Sequence, residues 1–537
     1  MTGYSTFADA MASSRSAGGA VMVQPRRGRS PKLGGGNASI LSSDINLINT
    51  IIGAGTLAMP FAMSHFGIVL GVVLILWCGF TSAFGLYLQS RCARYMERGT
   101  SSFFGLSQLT LPNLAVIFDA AIAIKCFGVG VSYMTIIGDL MPAVAPAIGL
   151  TGYAFLENRN FWIAAFFAFA IVPLSFPRTL DSLKYTSVIA LLSIGYLIVL
   201  VAYHFAVDSR DQRGDLNIIT WDGPVAALSS LPVMIFAYTC HQNMFSILNE
   251  LKDNSAATVV TVIGSSIGTA AAVYILVAIT GYLTFGSHIV ANIVGMYPAS
   301  LASTIAKAAI VVLVTFSVPL QVHPLRASVD AVLRWRPKWN ARASSPSSIA
   351  GSQPLLSTAL PTSVDSHGAP VVAMSEYRFA WLTSVILVSM FIFALRVSNL
   401  GKILSYVGAT GSTTISFILP GCLYYLMSDP NSIHHQRLTK EDDDADYSDS
   451  AGSNVEDDPE AGLSRAGGAG RSWAASMVSK VRARSRTLKA KLGLGGFRWD
   501  FEHLEQGLLR KAALGLAIYG GVVMVVCLIS ISFFGQG

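Results

Sequence analysis

The stretch Asn46-Leu-Ile-Asn49-Thr-Ile-Ile-Gly53-Ala-Gly55-Thr-Leu-Ala-Met-Pro60 decides how this chain folds. It lies in an apolar run at about 45–66 that is long enough to cross a bilayer. Two asparagines, two glycines and a threonine nevertheless stand near the middle of the run, where unpaired polar atoms and loosened backbone are costly. The stretch is therefore either a membrane helix that is interrupted for a function or no membrane helix at all.

The composition of the whole chain favours the membrane interpretation. Of its 537 residues, 52% are apolar and 12% are charged, whereas soluble domains contain about 25% charged residues. The mean hydropathy is +0.54. Charged residues collect in a few blocks between apolar runs of roughly 20 residues, which is typical of a polytopic membrane protein and excludes a soluble one. The six cysteines stand singly, so no disulfide framework or metal site is expected.

Eleven apolar runs satisfy the length requirement of a transmembrane helix. They lie at about 45–66, 68–90, 113–140, 160–177, 185–206, 224–249, 257–284, 299–323, 379–396, 403–427 and 511–534. An odd number places the two termini on opposite sides of the membrane. Lysine and arginine are more frequent in the loops that are cytosolic when the N-terminus is cytosolic. We therefore expect a cytosolic N-terminus, with no cleaved signal peptide.

The segments outside these runs predict the domain organisation. Residues 1–43 are expected to be a disordered cytosolic tail, and 44–430 to hold helices one to ten with a disordered cytosolic insertion at 340–376. Residues 431–510 form a charged cytosolic loop, and 511–537 hold the eleventh helix with a short lumenal C-terminus. The basic end of the loop, at 473–494, fits either an amphipathic helix on an anionic membrane or a solvated linker attracted to the acidic beginning of the loop.

A second polar interruption lies in the sixth apolar run, at Phe236-Ala-Tyr-Thr-Cys-His241-Gln-Asn243. Paired discontinuous helices at corresponding places in two halves indicate a substrate site at the membrane midplane of an inverted-repeat transporter. Unwinding frees N–H groups for a carboxylate and carbonyl groups for a cation, so a zwitterionic amino acid fits such a site. The alternative for the glycines of the first run is close helix packing by small residues.

Together the two interrupted motifs resemble the amino acid/auxin permease family, and they are most similar to its fungal vacuolar amino acid transporter branch. The resemblance covers about 42–430 and 511–534. It implies an all-α polytopic fold of about eleven helices, arranged as a LeuT-like five-plus-five inverted repeat in which helices 1 and 6 are discontinuous. It also implies secondary active amino acid transport coupled to a cation gradient.

The resemblance also implies which residues form the site. The first helix would surround the substrate carboxylate, and the sixth would face the amine and side chain. Two further positions match residues that bind the coupling ion in sodium-coupled relatives. The substrate-binding residues implied are Thr50, Gly53, Ala54, Gly55, Thr56, Phe236, Ala237 and Tyr238, and the ion-binding residues are Asn49 and Ser317.

An asparagine and a hydroxyl can hold sodium but do not titrate near neutral pH, so proton coupling would need another group. His241 is the candidate, although a neutral hydrogen-bonded histidine is the alternative. Lys125 stands at midspan, where a charge costs about 2.5–3.5 kcal/mol, and should face the bundle. Asp119 and Asp139 are its nearest acids along the helix, but neither spacing puts them directly beside it. Tyr133 would place either a hydroxyl or an aromatic wall in the cavity.

These patterns predict a proton-coupled amino acid transporter, working by symport or antiport, in the vacuolar membrane. The loop at 207–223 has neither cysteines nor glycosylation sequons, which favours an internal membrane. The alternatives are a sodium-coupled plasma-membrane transporter and a membrane amino acid sensor whose loop at 431–510 recruits cytosolic partners. The expected partners are an amino acid, H⁺ or Na⁺ and the lipid bilayer, with no nucleic acid. An enzyme is disfavoured, and no cofactor is expected, because no catalytic pair, phosphate loop or metal cluster is recognisable.

Overall fold

The computed structural model describes most of the apolar part of the chain. The described residues are 36, 38–96, 100–110, 114–177, 186–207, 213–334, 374–432, 435–436 and 501–534. Most of the predicted N-terminal tail, of the insertion at 340–376 and of the loop at 431–510 lies outside them, so those three assignments stay predictions. The first helix begins at Ile40, where the side chain of Ser39 accepts a hydrogen bond from the N–H of Ser42.

Helices make up the fold, and they are numbered here in chain order. The α-helices are α1 Ile40–Ile51, α2 Ala54–Ser64, α3 Ile68–Ala93, α4 Phe103–Leu109, α5 Leu114–Val144, α6 Arg159–Phe166, α7 Val172–Ser175, α8 Thr186–Val207, α9 Pro224–Ala237, α10 His241–Glu250, α11 Ala256–Phe285, α12 Ile293–Met296, α13 Leu301–Arg334, α14 Glu376–Arg396, α15 Leu400–Val407, α16 Leu419–Met427 and α17 Phe501–Ile529. Short 3₁₀ helices lie at Ala145–Ile148, Ala154–Glu157 and Gly286–His288, and π-helical turns at Phe167–Ile171, Gly408–Ser412, Thr414–Ile418 and Ser530–Phe534. Across the described ranges, the one isolated β-bridge joins Ala38 and Leu251.

The helices coincide with the predicted membrane spans. Among the described residues, nine helices are long and apolar enough to cross a bilayer, and α1 with α2 forms a tenth span bent by 56° at its break. The shorter apolar helix Arg159–Ser175 occupies the place of the predicted fourth span. The all-α polytopic fold class is therefore confirmed.

Corresponding helices of the two predicted halves contact one another. The first span contacts the sixth through α2 and α9, and the second contacts the seventh through α3 and α11. The third contacts the eighth through α5 and α13, and the fourth contacts the ninth through α6 and α14. Two five-helix halves related by a pseudo-twofold axis bring equivalent helices together in this way. The arrangement places the two broken helices side by side at the centre of the bundle.

The eighth span extends beyond its predicted end at 323, because α13 continues to Arg334. The polar residues of this extension find partners on α14. Arg326 donates a hydrogen bond to the hydroxyl of Thr383 at 3.0 Å, and its guanidinium lies 3.9 Å from the ring centroid of Phe379. Asp330 forms ion pairs with Arg334 and Arg378. Buried charges with such partners can continue a helix past the point where its apolar pattern stops.

Candidate functional site

A cavity of about 330 Å³ lies where the breaks of the first and sixth spans meet. Its wall is formed by α1, α2, α5, α8, α9, α10 and α13 and by the segment that joins α9 to α10. Small-molecule sites in proteins fall mostly in the range of about 300–1,000 Å³. The cavity is therefore large enough for a ligand the size of an amino acid.

Most of the predicted site residues line this cavity. Those that do are Asn49, Thr50, Gly53, Ala54, Gly55, Lys125, Tyr133, Phe236, Ala237 and Ser317. Thr56, Tyr238 and His241 are not among the described residues that line it. The ring of Tyr238 packs edge-on against Tyr274, with 5.1 Å between the ring centroids. His241 is fully buried behind the wall, and its Nε2 lies 3.2 Å from the carbonyl oxygen of Ser82.

The break in the first span exposes the beginning of a helix to the cavity. α1 ends at Ile51 and α2 begins at Ala54, so the first N–H groups of α2, those of Ala54 and Gly55, have no acceptor within the helix. Gly53 faces open space, since a Cβ added there would meet no heavy atom within 4 Å. Free N–H groups at the positive end of a helix favour an anionic ligand such as a carboxylate.

Gly55 is the point at which the two broken helices touch. A Cβ added at this position would lie 2.6 Å from the Cβ of Ala237 and 2.8 Å from its Cα. Carbon atoms in favourable contact are about 3.5–4.0 Å apart. Only a glycine therefore allows α2 and α9 to approach as closely as they do here.

One tyrosine lies between the ends of both broken helices. The hydroxyl of Tyr274, on α11, is 2.7 Å from the carbonyl oxygen of Ile51 and 2.8 Å from that of Ala237. These carbonyl groups belong to the last residues of α1 and α9, where the helix supplies no partner. Tyr274 itself is fully buried, so it satisfies backbone groups that water does not reach.

A side-chain hydrogen bond also joins the two spans at the cavity. Nδ2 of Asn243 on α10 donates to the hydroxyl of Thr50 on α1 at 2.8 Å, and this hydroxyl donates to the carbonyl oxygen of Asn46 at 3.0 Å. The chain of two hydrogen bonds fixes the position of α10 relative to α1.

Replacing Thr50 with valine is expected to destabilise the protein by about 1 kcal/mol, because the Asn243 amide loses its acceptor while the side-chain shape is kept. The midpoint of thermal unfolding in detergent measures this effect. Thr50→Ser, which keeps the hydroxyl, serves as the control and should unfold near the wild-type temperature. A valine variant as stable as wild type would mean that this hydrogen bond does not hold the two spans together.

Two residues that line the cavity each bury a side-chain oxygen without a partner. Oδ1 of Asn49 and Oε1 of Gln242 make no hydrogen bond with any described residue. Leaving a buried acceptor unsatisfied costs about 1–3 kcal/mol. A cation or an ammonium group in the cavity would supply what these oxygens lack. Ser317, at the other predicted ion position, donates its hydroxyl to the carbonyl oxygen of Leu313 at 2.7 Å and keeps its lone pairs available.

Lys125 places a buried amine on the cavity wall. Its side chain is 5% exposed and forms neither a hydrogen bond nor an ion pair with the described residues. Asp139, one of its two candidate acids, pairs with Arg159 at 3.0 Å. The backbone of Lys125 is in close contact with the π-helical turn of the tenth span, since a Cβ at Gly411 would lie 2.9 Å from its N atom.

Several cavity residues carried no assigned role in the sequence. Gln242 and Asn243 belong to the interrupted motif of the sixth span, which was recognised as a unit without assigning these two residues. His323 of α13 lines the cavity, whereas the histidine singled out, His241, lies behind its wall. The neighbouring Pro324, a proline inside a helix, is the feature of the sequence that could have drawn attention to His323.

Comparisons with known proteins identify relatives of this chain. The family model described as "Transmembrane amino acid transporter protein" matches residues 36–442. Vacuolar amino acid transporter 5 of Schizosaccharomyces pombe is 43% identical over 394 residues, which are 73% of this chain and 86% of that relative. Vacuolar amino acid transporter 6 of Saccharomyces cerevisiae is 41% identical over 413 residues, covering 72% of this chain and 90% of that relative.

Among solved structures, that of MhsT in complex with L-phenylalanine matches with a TM-score of 0.41 and 13% identity, over 73% of this chain and 89% of that chain. The family model covers more than half of the chain, and the two fungal relatives are each matched over most of their length. This chain therefore belongs to the transmembrane amino acid transporter protein family.

Proposed function

We propose that this protein is a secondary active transporter that moves amino acids across the vacuolar membrane together with protons. The observation that carries the proposal is the cavity at the paired breaks, which has free helix-end N–H groups on one side and, on another, Asn49 and Gln242, whose side-chain oxygens have no partner among the described residues. Membership of the family and similarity to proteins named vacuolar amino acid transporters support the substrate class and the membrane.

The substrate's charged groups have complementary partners on the cavity wall. The carboxylate would accept hydrogen bonds from the N–H groups of Ala54 and Gly55, and its charge would be stabilised by the positive end of α2. The ammonium group would donate to Oδ1 of Asn49 and Oε1 of Gln242. Phe236 would pack against the substrate side chain. Each polar atom of an amino acid backbone is satisfied in this pose.

Two groups on the wall, Lys125 and His323, can take up or release a proton, and we assign proton coupling to this pair. His241 is less suited because its ring is buried behind the wall. Sodium is the second candidate ion, and one observation favours it: Asn49 lines the cavity, and its side-chain oxygen has no partner among the described residues. With the N-terminus in the cytosol, proton symport would release stored amino acids into the cytosol, and antiport would load the vacuole.

Labelled amino acid flux into vesicles of defined sidedness, under imposed proton or sodium gradients, tests this proposal. We expect uptake of at least one amino acid from a panel of acidic, neutral and basic substrates. It should disappear when a protonophore removes the proton gradient and persist without sodium. Dependence on sodium alone would overturn proton coupling but leave amino acid transport standing. Absence of flux for every substrate and both gradients would overturn the proposed function.

A further inference from the structure

A second cavity lies on the outer side of the bundle, between the third, ninth and tenth spans. It encloses about 600 Å³ between α5, α14 and α15. Its side walls are apolar, with Ile124, Phe127, Phe393 and Val407 among the residues that line it. Ile124 is 50% exposed and Phe393 is 53% exposed, so the cavity is an open groove that a bilayer would cover.

Two positive charges stand at one end of this groove. Arg396 is the last residue of α14, and Lys402 lies in the first turn of α15. Both are exposed, and neither side chain pairs with any residue in the described part of the chain. Nearby Arg159 is different, because it pairs with Asp139 and donates to the carbonyl oxygens of Ala394 and Val397. Intramolecular contacts therefore account for Arg159 but not for the two groove cations.

The position of these cations is unusual for a membrane protein. In the orientation predicted from loop charges, the ninth span ends and the tenth begins on the lumenal side. Short loops on that side usually carry few lysines and arginines. Two of them within seven positions, both facing an apolar groove, point to a ligand that brings negative charge.

The depth of the groove matches one leaflet of a bilayer. It extends along α15 from Asn399 to Thr410, at the first π-helical turn of the tenth span. At 1.5 Å per residue this distance is roughly 17 Å, which is close to half of the roughly 30 Å hydrocarbon thickness. A molecule with a charged head at the cations and a chain along the groove would reach the membrane midplane.

We propose that this groove binds one anionic phospholipid from the lumenal leaflet. Its phosphate lies between Arg396 and Lys402, its headgroup keeps a net negative charge that the headgroup of phosphatidylcholine lacks, and one acyl chain packs against Ile124, Phe127 and Phe393. Phosphate accepts charge-assisted hydrogen bonds from both cations, and the apolar walls supply the rest of the contact.

The groove is also next to the central cavity. Ile124 and Gly128 line the groove, whereas Lys125 and Val129 line the cavity on another face of the same helix. Gly128 is in close contact with Val407, since a Cβ there would lie 2.0 Å from a methyl carbon of that valine. The lipid thus lies where α5 packs against the tenth span, beside the central cavity.

Native mass spectrometry of the full-length protein, released from nanodiscs with equal amounts of phosphatidylserine and phosphatidylcholine, tests the proposal. We expect retention of one phosphatidylserine over phosphatidylcholine by roughly 30-fold, the factor given by two cations at about 1 kcal/mol each. Arg396→Gln combined with Lys402→Gln should abolish the preference. Ile124→Trp should fill the groove and reduce lipid retention.

Two control variants outside the groove show whether a change in lipid retention is specific to the groove. Lys511→Gln removes an exposed cation of α17. Ile117→Trp adds a tryptophan to α5, two turns before Ile124, at a residue that is 47% exposed. Both should retain lipid as wild type does. Equal retention of the two lipids by wild type, or a preference that survives the double variant, would overturn the proposal. So would displacement by inorganic phosphate alone, or a dimer that Ile124→Trp dissociates, which would identify the groove as a subunit interface.

Discussion

Replacing Gly55 with leucine is expected to abolish amino acid flux while the protein still inserts into the membrane. A Cβ at this position would already lie 2.6 Å from the Cβ of Ala237, so leucine must push α2 and α9 apart. Overpacking of this kind costs about 1–3 kcal/mol in protein cores. Here the displaced backbone carries the N–H groups of the proposed carboxylate site, so the site is lost before the fold is. Leucine favours membrane insertion, so the amount of inserted protein should stay near the wild-type level.

The matched control is Gly268→Leu, on α11 and outside the residues that line the cavity. A Cβ at Gly268 meets no heavy atom within 4 Å, so this leucine does not push two helices apart and flux should stay near the wild-type level. Both variants are compared by labelled flux per amount of inserted protein. Wild-type flux from Gly55→Leu would mean that the contact between the two breaks does not form the substrate site.

Replacing Lys125 with methionine is expected to lower flux at least about tenfold and, at the same time, to raise thermal stability. The Lys125 side chain is 5% exposed and has no partner among the described residues, so keeping its charge buried costs about 2.5–3.5 kcal/mol of free energy. Methionine has a similar length and no charge, so it removes that cost. The same charge is the one lysine or arginine among the described residues that line the cavity, and its loss removes a charge-assisted interaction with substrate or a proton carrier.

Lys307 provides the control because it is a second buried lysine, 4% exposed, that does not line the cavity. Its Nζ donates to the carbonyl oxygen of Tyr297 at 2.9 Å. Lys307→Met should therefore reduce stability, because that carbonyl loses its donor, and leave flux per folded molecule unchanged. Unfolding midpoints and flux are measured on both variants. Lys125→Met with normal flux would exclude a transport role for the cavity charge.

The sequence was a good guide to the spans and their breaks, and there is a physical reason. A membrane helix needs roughly 20 apolar residues and satisfied backbone groups, so each span and each polar interruption is visible locally. The extension of α13 was not predictable in this way. Arg326 and Asp330 look like the end of a span until their partners on α14 are known. The π-helical turns of the tenth span likewise carried no recognisable local signal.

The site was predictable as a pair of motifs but not residue by residue. His241, Gln242 and Asn243 are consecutive, yet only the last two line the cavity. Successive residues of an α-helix point about 100° apart, so the start of α10 decides which of them faces inward. Ser82 and Gln89 of α3 contact His241 from the other side. Such partners are distant in sequence, and without them a histidine buried behind the wall cannot be told from one that lines the cavity.

The hydroxyl of Tyr274 has a mechanical consequence. It carries one hydrogen and lies within bonding distance of two carbonyl groups, so it can donate to the end of α1 or to the end of α9 at any instant. The proton can change sides by rotation about one C–O bond, without movement of the ring or of either helix. The hydroxyl of Tyr274 thus keeps α11 hydrogen-bonded to α1 or to α9 at all times. We expect α11 and the ends of α1 and α9 to move as one rigid body when the cavity opens to either side. The hinges of that movement should lie elsewhere in the bundle.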